Sequence, residues 1–359
     1  MKKIVLTGGG TAGHVTPNIA LLPALQAAGY EIAYVGSYEG IEKKLIADFN
    51  IPYTGISTGK FRRYLDPKNF SDPFRVMKGF VEARNYLKNY QPDVVFSKGG
   101  FVSVPVVRAA ASLHIPCIIH ESDMTPGLAN KLCIPLAEKV CCNFPETMKN
   151  IPADKAVLTG SPIRAELAQG SRLAGLNMCG FTANKPVIMV IGGSLGAANV
   201  NKAVRDALPK LLEDFQVVHL CGKDKIDNLL LNTPGYKQFE YIKAELKDIF
   251  AMADVVISRA GANAICELLA LKKPNILIPL PAASSRGDQL LNAASFEAQG
   301  YSIVLNEDDI TTNLLVDKVH ELYFNRQNYV EAMSRSHQMD AINTIMLLIN
   351  EAANKSHTQ

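Results

Sequence analysis

Short runs of aliphatic and β-branched residues alternate with stretches of helical periodicity along the whole chain of 359 residues. Such alternation is typical of repeated β-α units, in which parallel strands form one sheet and helices cover its faces. Glycine, proline or polar turns bound each run and delimit the strands. The predicted strands are 3–7, 31–35, 94–97, 117–120, 139–142 and 156–159, followed by 187–191, 217–220, 255–258, 275–278 and 302–305. The sequence therefore predicts an α/β protein with largely parallel sheets.

The two series of strands open with the same motif. Residues 4–13 (IVLTGGGTAG) and residues 187–196 (VIMVIGGSLG) both consist of a strand, Gly-Gly-[Thr/Ser]-x-Gly and the start of a helix. Glycine lets the backbone approach a ligand, and a helix N-terminus offers unpaired N–H groups and a positive dipole end, which suit a phosphate. A single copy is equally well explained as a tight β-α turn. Two copies at equivalent places predict two Rossmann-like domains facing across a cleft, with ligands beyond the carboxyl ends of the strands.

The domain boundaries follow from length and from a break in the strand pattern. A chain of 359 residues is long for a single domain and favours two. Residues 165–185 contain three glycines and no clear strand, so we predict a linker there. The predicted domains are 1–164 and 186–340, and we expect a C-terminal helix and tail at 341–359 to pack back on the N-terminal domain.

Charge and cysteine content exclude several classes of protein. Lys and Arg number 37 and Asp and Glu 34, a net charge of +3, which gives no electrostatic basis for binding nucleic acid. The seven cysteines form no Cys-x-x-Cys pair and no zinc spacing, so we expect reduced, mostly buried thiols. The first apolar run stops at Thr7, too short for a signal peptide, and no stretch predicts a transmembrane helix. We expect a protein that stays on the cytoplasmic side.

A histidine follows the first glycine motif. His14 lies at the start of a helix on the ligand side of the predicted sheet. An imidazole has a pKa of about 6.5, and the positive end of a helix disfavours its cation, so this side chain is suited to accept a proton. The alternative is a helix-capping histidine without a catalytic role.

Polar residues also follow the strands of the second half. Residues 258–267 (SRAGANAICE) come directly after a strand, and Glu267 lies on the ensuing helix. A carboxylate there can accept both hydroxyls of a ribose, although a solvated helix glutamate is the plainer explanation. After the next strand, a polar loop leads to Asp288 and Gln289, whose side chains suit sugar hydroxyls, although an N-cap explains Asp288 equally well.

Nothing in the chain predicts a metal site. No Asp-x-Asp motif occurs, and the acidic run at 307–309 follows a strand end, where a solvated turn is expected.

Four separated motifs resemble a known family. Residues 9–17, 160–164, 192–197 and 258–267, then Gln289 with Asn292 and Ala293, are similar in order and spacing to the MurG family of peptidoglycan N-acetylglucosaminyltransferases, family 28 glycosyltransferases of the GT-B fold. The resemblance covers nearly the whole chain. It implies transfer of N-acetylglucosamine from UDP-N-acetylglucosamine to the MurNAc C4 hydroxyl of undecaprenyl-pyrophosphoryl-MurNAc-pentapeptide (lipid I). The product is lipid II, formed with inversion and without a cofactor.

The resemblance also implies roles for the domains and for individual residues. Domain 1–164 binds the acceptor and associates with the membrane, and domain 186–340 binds the donor. The donor-binding residues are Thr11, Ala12, Gly13, Arg164, Ser194, Ile242, Ala262, Asn263, Ala264, Glu267 and Gln289, with the diphosphate loop at Gly192, Gly193 and Gly196. The acceptor side has Gly10, Asp123 and Asn130, with residues 11–14 lining it.

Within that set, Ser194 and Arg164 lie by the diphosphate and Glu267 by the ribose. Gln289 meets the N-acetylglucosamine hydroxyls, and the backbone of Ile242 reads uracil. The chain departs from the family at three places: Asp123 stands where many members have Asn, Leu195 replaces a common Gln, and Asp288 precedes Gln289 where a Gln pair is frequent. His14 is the candidate base, because inversion needs one base and no covalent intermediate.

A basic and apolar segment precedes the third predicted strand. Residues 60–90 hold eight Lys or Arg against three acids. The predicted membrane patch comprises Phe61, Arg62, Arg63, Phe70, Phe74, Arg75, Met77 and Lys78. The spacing 70, 74, 77, 81 is helical and suits either an amphipathic helix packed on the sheet or one that contacts anionic lipid. A lipid-linked acceptor favours the second, so we expect a peripheral protein at the cytoplasmic face of the cell membrane.

Two other functions remain open on the sequence. UDP-N-acetylglucosamine 2-epimerases share the two-domain architecture and the nucleotide, but they need neither an acceptor nor a basic apolar patch. A nucleotide-sugar-binding scaffold at the membrane needs no His14. The resemblance also allows association with other cell-wall synthesis proteins.

Overall fold

The computed structural model describes residues 1–59, 68–192, 197–282 and 287–356. It divides the chain into two compact units, Met1–Arg164 with Asp340–Gln359, and Ala165–Met339. Each unit is built on one parallel sheet.

Unit 1 contains a seven-stranded sheet in the order β3-β2-β1-β4-β5-β6-β7. The strands are β1 (Lys3–Thr7), β2 (Glu31–Ser37), β3 (Tyr53–Ile56), β4 (Val94–Ser97), β5 (Cys117–Glu121), β6 (Lys139–Cys142) and β7 (Ala156–Leu158). Its helices are α1 (Thr16–Ala27), α2 (Ile41–Ile46), α3 (Lys68–Tyr90), α4 (Ser103–Ser112), α5 (Leu128–Cys133), α6 (Pro145–Met148) and the last helix of the chain, Ala341–Ser356. β1 and β4 read as apolar runs because both faces of a parallel sheet are covered.

Unit 2 contains a six-stranded sheet in the order β10-β9-β8-β11-β12-β13. The strands are β8 (Val187–Ile191), β9 (Gln216–Leu220), β10 (Tyr236–Phe239), β11 (Val255–Ser258), β12 (Asn275–Leu277) and β13 (Ser302–Val304). Its helices are α7 (Arg172–Cys179), α8 (Ala198–Asp214), α9 (Leu246–Met252), α10 (Ala262–Ala270), α11 (Asp288–Ala298), α12 (Thr312–Phe324) and α13 (Arg326–Ser334). The helix at Ala341–Ser356 is therefore α14.

Two strands escaped the sequence analysis, and each lies at a sheet edge. β3 and β10 pair with one neighbour each, β2 and β9. The side chains of β3 are mostly half-buried, and those of β10 alternate between buried and more exposed positions. An edge strand that buries only part of its surface shows no continuous apolar run, and such a run was the signal used for the others.

The segment 165–185 differs from the expected linker, because it is folded and belongs to unit 2. α7 packs against α9, and a Cβ atom at Gly175 would lie 2.4 Å from the carbonyl oxygen of Asp248. A Cβ atom at Gly170 would lie 2.0 Å from the carbonyl oxygen of Lys247. These two glycines therefore permit a close approach of backbones, whereas the sequence analysis used them as one sign of a linker.

The end of the chain returns to unit 1. α14 packs against α1 and the strands β4 and β5, and it buries Ile345, Ile349 and Ala353 in the core. The Tyr30 hydroxyl donates a hydrogen bond to Asn350 Oδ1 at 2.8 Å.

All seven cysteines are buried free thiols. Among the helices in the described part of the chain, none combines the length and the apolar character needed to cross a membrane.

Candidate active site

The strand orders of the two sheets reverse at equivalent places, between β1 and β4 in unit 1 and between β8 and β11 in unit 2. Open parallel sheets bind ligands beyond the carboxyl ends of their strands at this point, because the helices that follow the two central strands lie on opposite faces. The residues that follow these four strands are therefore the candidates for the active site.

In unit 1, the turns that follow β1 and β4 touch each other. The Gly9 N–H donates to the Gly99 carbonyl at 3.3 Å. A Cβ atom at Gly100 would lie 2.2 Å from the Gly9 carbonyl oxygen and 3.1 Å from His14 Nδ1. Gly10 has φ +85°, which other residues rarely adopt. Glycine is required here by contact between the two turns as well as by backbone conformation.

His14 is held in one tautomer. It is half-buried, and its Nδ1 lies 3.0 Å from the Gly9 carbonyl oxygen and 3.3 Å from Thr11 Oγ1. A carbonyl only accepts hydrogen bonds, so we assign the proton to Nδ1 and the lone pair to Nε2. Burial lowers the pKa of His14, and the nearby cation of Lys98 lowers it further. The imidazole is therefore neutral at neutral pH, as a general base requires.

Glu42 is hydrogen-bonded to the first glycine turn. Its side chain is fully buried and accepts hydrogen bonds from the Gly10 N–H at 3.1 Å, the Ser37 N–H at 2.9 Å and the Ser37 hydroxyl at 2.5 Å. Burial raises the pKa of Glu42, but these hydrogen bonds outweigh it and leave the pKa below its usual value. The carboxylate is ionised, and it fixes Gly10 beside the candidate base.

A buried lysine follows β4. Lys98 is 1% exposed, and its Nζ donates to His120 Nδ1 at 2.9 Å and to the Ser122 hydroxyl. His120 Nε2 donates in turn to the Gly160 carbonyl at 2.9 Å. Burial and the cation of Lys98 hold the pKa of His120 well below its usual value. The positive charge of Lys98 is therefore kept close to the ends of β4 and β5.

The loop after β5 is organised by Glu121. This buried carboxylate accepts from the Asp123 N–H at 2.9 Å, the Gly127 N–H at 3.1 Å and Asn130 Nδ2 at 2.8 Å. Asn130, predicted on the acceptor side, is itself buried and also donates to the His120 carbonyl at 3.1 Å. Asn130 therefore stabilises the loop through buried hydrogen bonds, whereas Asp123 is a half-buried residue of the loop itself.

In unit 2, the glycine motif is only partly described. Gly192 is half-buried at the end of β8, whereas the predicted residues Gly193, Ser194 and Gly196 lie outside the described residues. α8 begins at Ala198, and the preceding Ala197 provides no side-chain cap.

The turn after β11 contains a buried ion pair. Arg259 is 9% exposed and pairs with Glu307. Its Nη1 donates to the carbonyls of Ile278 at 3.0 Å and Pro279 at 3.2 Å. The acidic run at 307–309 is thus not entirely a solvated turn as predicted: the Glu307 side chain is 7% exposed, because the turn after β13 directs it to the arginine.

The other predicted donor residues of unit 2 that the structure describes lie in the segments that follow β10, β11 and β12. Ala262, Asn263 and Ala264 form the first turn of α10, with half-buried Glu267 further along that helix. Gln289 Oε1 accepts from the Leu280 N–H at 3.1 Å, which joins α11 to the end of β12. Half-buried Ile242 follows β10. Arg164 belongs to unit 1, where it is half-buried and ends the first of that unit's two segments.

α3 exposes apolar side chains on one face. Phe74 is 79% and Met77 65% exposed, with Arg75 and Lys78 exposed beside them, whereas Ala83 and Leu87 are buried in the core. Phe61, Arg62, Arg63 and the side chain of Phe70, also predicted in the membrane patch, lie outside the described residues. The helix therefore packs on unit 1 and also presents a basic apolar face to solvent.

Sequence analysis missed Glu42, Lys98 and Glu121. Lys98 directly follows β4, and Glu121 ends β5, so a search for polar residues at every strand end would have found both. Glu42 lies on α2, and its hydrogen bond with the Gly10 N–H, which the sequence does not show, connects it to the site.

Comparison with known proteins agrees with this architecture. The model of the glycosyltransferase family 28 N-terminal domain matches residues 4–142, and that of the family's C-terminal domain matches residues 187–346. A UDP-N-acetylglucosamine--N-acetylmuramyl-(pentapeptide) pyrophosphoryl-undecaprenol N-acetylglucosamine transferase of Lachnospira eligens is 64% identical over 351 residues, 98% of this chain and 99% of that protein.

Two solved structures give the fold. Acinetobacter baumannii MurG is 28% identical with a TM-score of 0.77, covering 98% of this chain and 100% of that one. A UDP-GlcNAc 2-epimerase from Neisseria meningitidis has a TM-score of 0.68 with coverage of 98% and 100%, but at 14% identity it shows the fold alone. These findings define a glycosyltransferase of the GT-B fold. The chain belongs to glycosyltransferase family 28.

Proposed function

We infer that the chain transfers N-acetylglucosamine from UDP-N-acetylglucosamine to the MurNAc C4 hydroxyl of lipid I, giving lipid II with inversion. Full-length identity of 64% to a transferase of that name supports the reaction. The observation that supports the mechanism is the hydrogen bond of 3.0 Å between His14 Nδ1 and the Gly9 carbonyl oxygen, beside which burial lowers the pKa of His14.

His14 acts as the general base. Its Nε2 accepts the proton of the attacking hydroxyl while the new bond forms from that oxygen to the sugar C1, and the bond from C1 to the UDP oxygen breaks. The hydrogen bond to Gly9 stabilises the imidazolium that results, since Nδ1 remains the donor. The lowered pKa keeps the lone pair available before reaction.

Unit 2 binds the donor. The N-terminus of α8, with Ser194 and Arg164, stabilises the diphosphate that leaves with UDP. Glu267 accepts hydrogen bonds from the ribose hydroxyls, and the backbone at Ile242 reads uracil. Gln289 and the first turn of α10 meet the sugar, with Thr11, Ala12 and Gly13 contributing from unit 1.

Unit 1 binds the acceptor beside Gly10 and the loop that contains Asp123. The exposed face of α3, with Phe74, Arg75 and Met77, contacts anionic lipid at the cytoplasmic face of the membrane, where a lipid-linked acceptor is found. The protein is therefore a peripheral membrane protein.

A transfer assay tests the function. Labelled UDP-N-acetylglucosamine incubated with the protein and a lipid I analogue should give labelled lipid and UDP. Label recovered as an epimerised nucleotide sugar without acceptor would instead indicate a 2-epimerase, whose fold this chain shares. Label that is bound but unchanged would indicate a nucleotide-sugar-binding scaffold.

A further inference from the structure

Glu307 connects three parts of unit 2 that the sequence keeps far apart. It begins the short turn Glu307–Asp309 after β13, and its carboxylate pairs with Arg259 after β11. Its other oxygen, Oε1, accepts a hydrogen bond from Asn199 Nδ2 at 2.5 Å. Asn199 is the second residue of α8, so this carboxylate joins the first turn of that helix to the edge of the sheet.

Arg259 anchors the other side of this contact. Besides its bonds to the carbonyls of Ile278 and Pro279, its backbone N–H lies 3.4 Å from the Ile191 carbonyl at the end of β8. The guanidinium is thus fixed relative to the ends of β8 and β12. Through Glu307, the first turn of α8 is fixed relative to the same strands.

The ion pair with Arg259 also offsets the negative charge that Glu307 would bring to a diphosphate site. A carboxylate near a helix N-terminus is favoured by the dipole, but alone it would repel a diphosphate bound there. Arg259 cancels that charge, since the two buried groups are in direct contact. Glu307 therefore restrains the helix terminus without opposing an anionic ligand.

We propose that Glu307 is a positioning residue for the donor diphosphate, acting through Asn199 on the first turn of α8. This rests on the proposed function, in which that helix terminus binds the diphosphate of UDP-N-acetylglucosamine. Glu307 itself touches no part of the donor. Its effect is confined to ligands that carry the diphosphate.

The test compares two ligands that differ only in that group. The Kd values of UDP and uridine are measured by calorimetry for the wild type, Glu307→Ala, Glu307→Gln and the matched control Asp308→Ala, which removes an exposed acid from the same turn. Glu307→Ala should weaken UDP binding about tenfold and leave uridine binding within about twofold. Glu307→Gln, whose amide oxygen accepts from Asn199, should recover UDP binding to within about threefold of the wild type.

A second variant tests the route. Asn199→Ala should weaken UDP binding as Glu307→Ala does, and the double variant should be no weaker than either single one, because both remove the same contact. An equal loss of UDP and uridine affinity in Glu307→Ala would indicate general damage to the fold and overturn the proposal. If the wild type binds UDP more tightly than uridine and Glu307→Ala leaves the Kd of UDP unchanged, the proposal is also overturned. A wild type that binds UDP no better than uridine would overturn the donor assignment itself.

Discussion

The two units share a sheet order around their first strand but stabilise the neighbouring turns with different buried charges. In unit 1, the carboxylate of Glu42 and the amino group of Lys98 lie near the glycine turn and are each held by hydrogen bonds. In unit 2, Arg259 and Glu307 are in direct contact. The separate charges of unit 1 both act on the pKa of His14. The two opposite charges of unit 2 are in contact and largely cancel each other's electrostatic field. A proton acceptor needs a tuned pKa, and an anion site needs position without added negative charge, so the same scaffold serves two kinds of chemistry.

The largest expected effect is the loss of kcat when the candidate base of unit 1 is removed. His14→Ala should lower kcat by about 100- to 10,000-fold, because it removes the group that takes the proton. Steady-state kinetics with saturating lipid I analogue measures this, and the KM for donor should change little. The exposed His114→Asn is the matched control and should keep wild-type turnover. Wild-type kcat in His14→Ala would mean that another group is the base.

A second variant addresses the donor side. Glu267→Ala should raise the Kd of UDP about 10- to 100-fold, since two ribose hydroxyls lose their acceptor. The loss should be much smaller with 2′-deoxy-UDP, which has already lost one of those bonds. Glu297→Ala, an exposed glutamate on α11, serves as control. An equal loss for both nucleotides would contradict the ribose assignment.

The pH profile tests the field in unit 1. Because the pKa of His14 is lowered, the neutral base persists as the pH falls below 6.5, and kcat/KM should decline only through that lower pKa. Lys98→Met removes a cation that lowers the pKa, so the acid limb should move to higher pH. A shift of one unit would be a tenfold loss at acidic pH. Lys131→Met, an exposed lysine on α5, should leave the limb unmoved. If the acid limb of the pH profile does not move in Lys98→Met, Lys98 does not affect the pKa of the catalytic base.

The smallest expected effect concerns the membrane face of unit 1, for which unit 2 offers the control. Replacing Phe74 and Met77 by Ser should weaken binding to anionic vesicles several-fold, and raised salt should weaken wild-type binding, because apolar insertion and basic attraction act together. Flotation with vesicles measures both. Leu229→Ser, which removes an apolar side chain that is 93% exposed in unit 2, should bind as the wild type does. Loss of binding in that control and not in the α3 variant would move the membrane contact to unit 2.

Much of the fold followed from local pattern. The central strands of both sheets were predicted because strands buried on both faces are continuous apolar runs. β3 and β10 were missed since edge strands lack that run. The segment 165–185 was predicted as a linker because it has three glycines and no clear strand, whereas close contact with α9 explains Gly170 and Gly175.

The sequence by itself determined the alternation of strands and helices and the two glycine motifs. It also identified His14 as a side chain suited to accept a proton and Glu267 as one suited to bind ribose hydroxyls. Only the tertiary structure decided which polar groups meet. Glu307 appeared solvated and proved buried, and Glu42 had no visible link to the first glycine turn. The physical reason is that a parallel sheet brings the ends of non-consecutive strands together, so the partners of a buried charge are set by strand order, which local sequence does not encode.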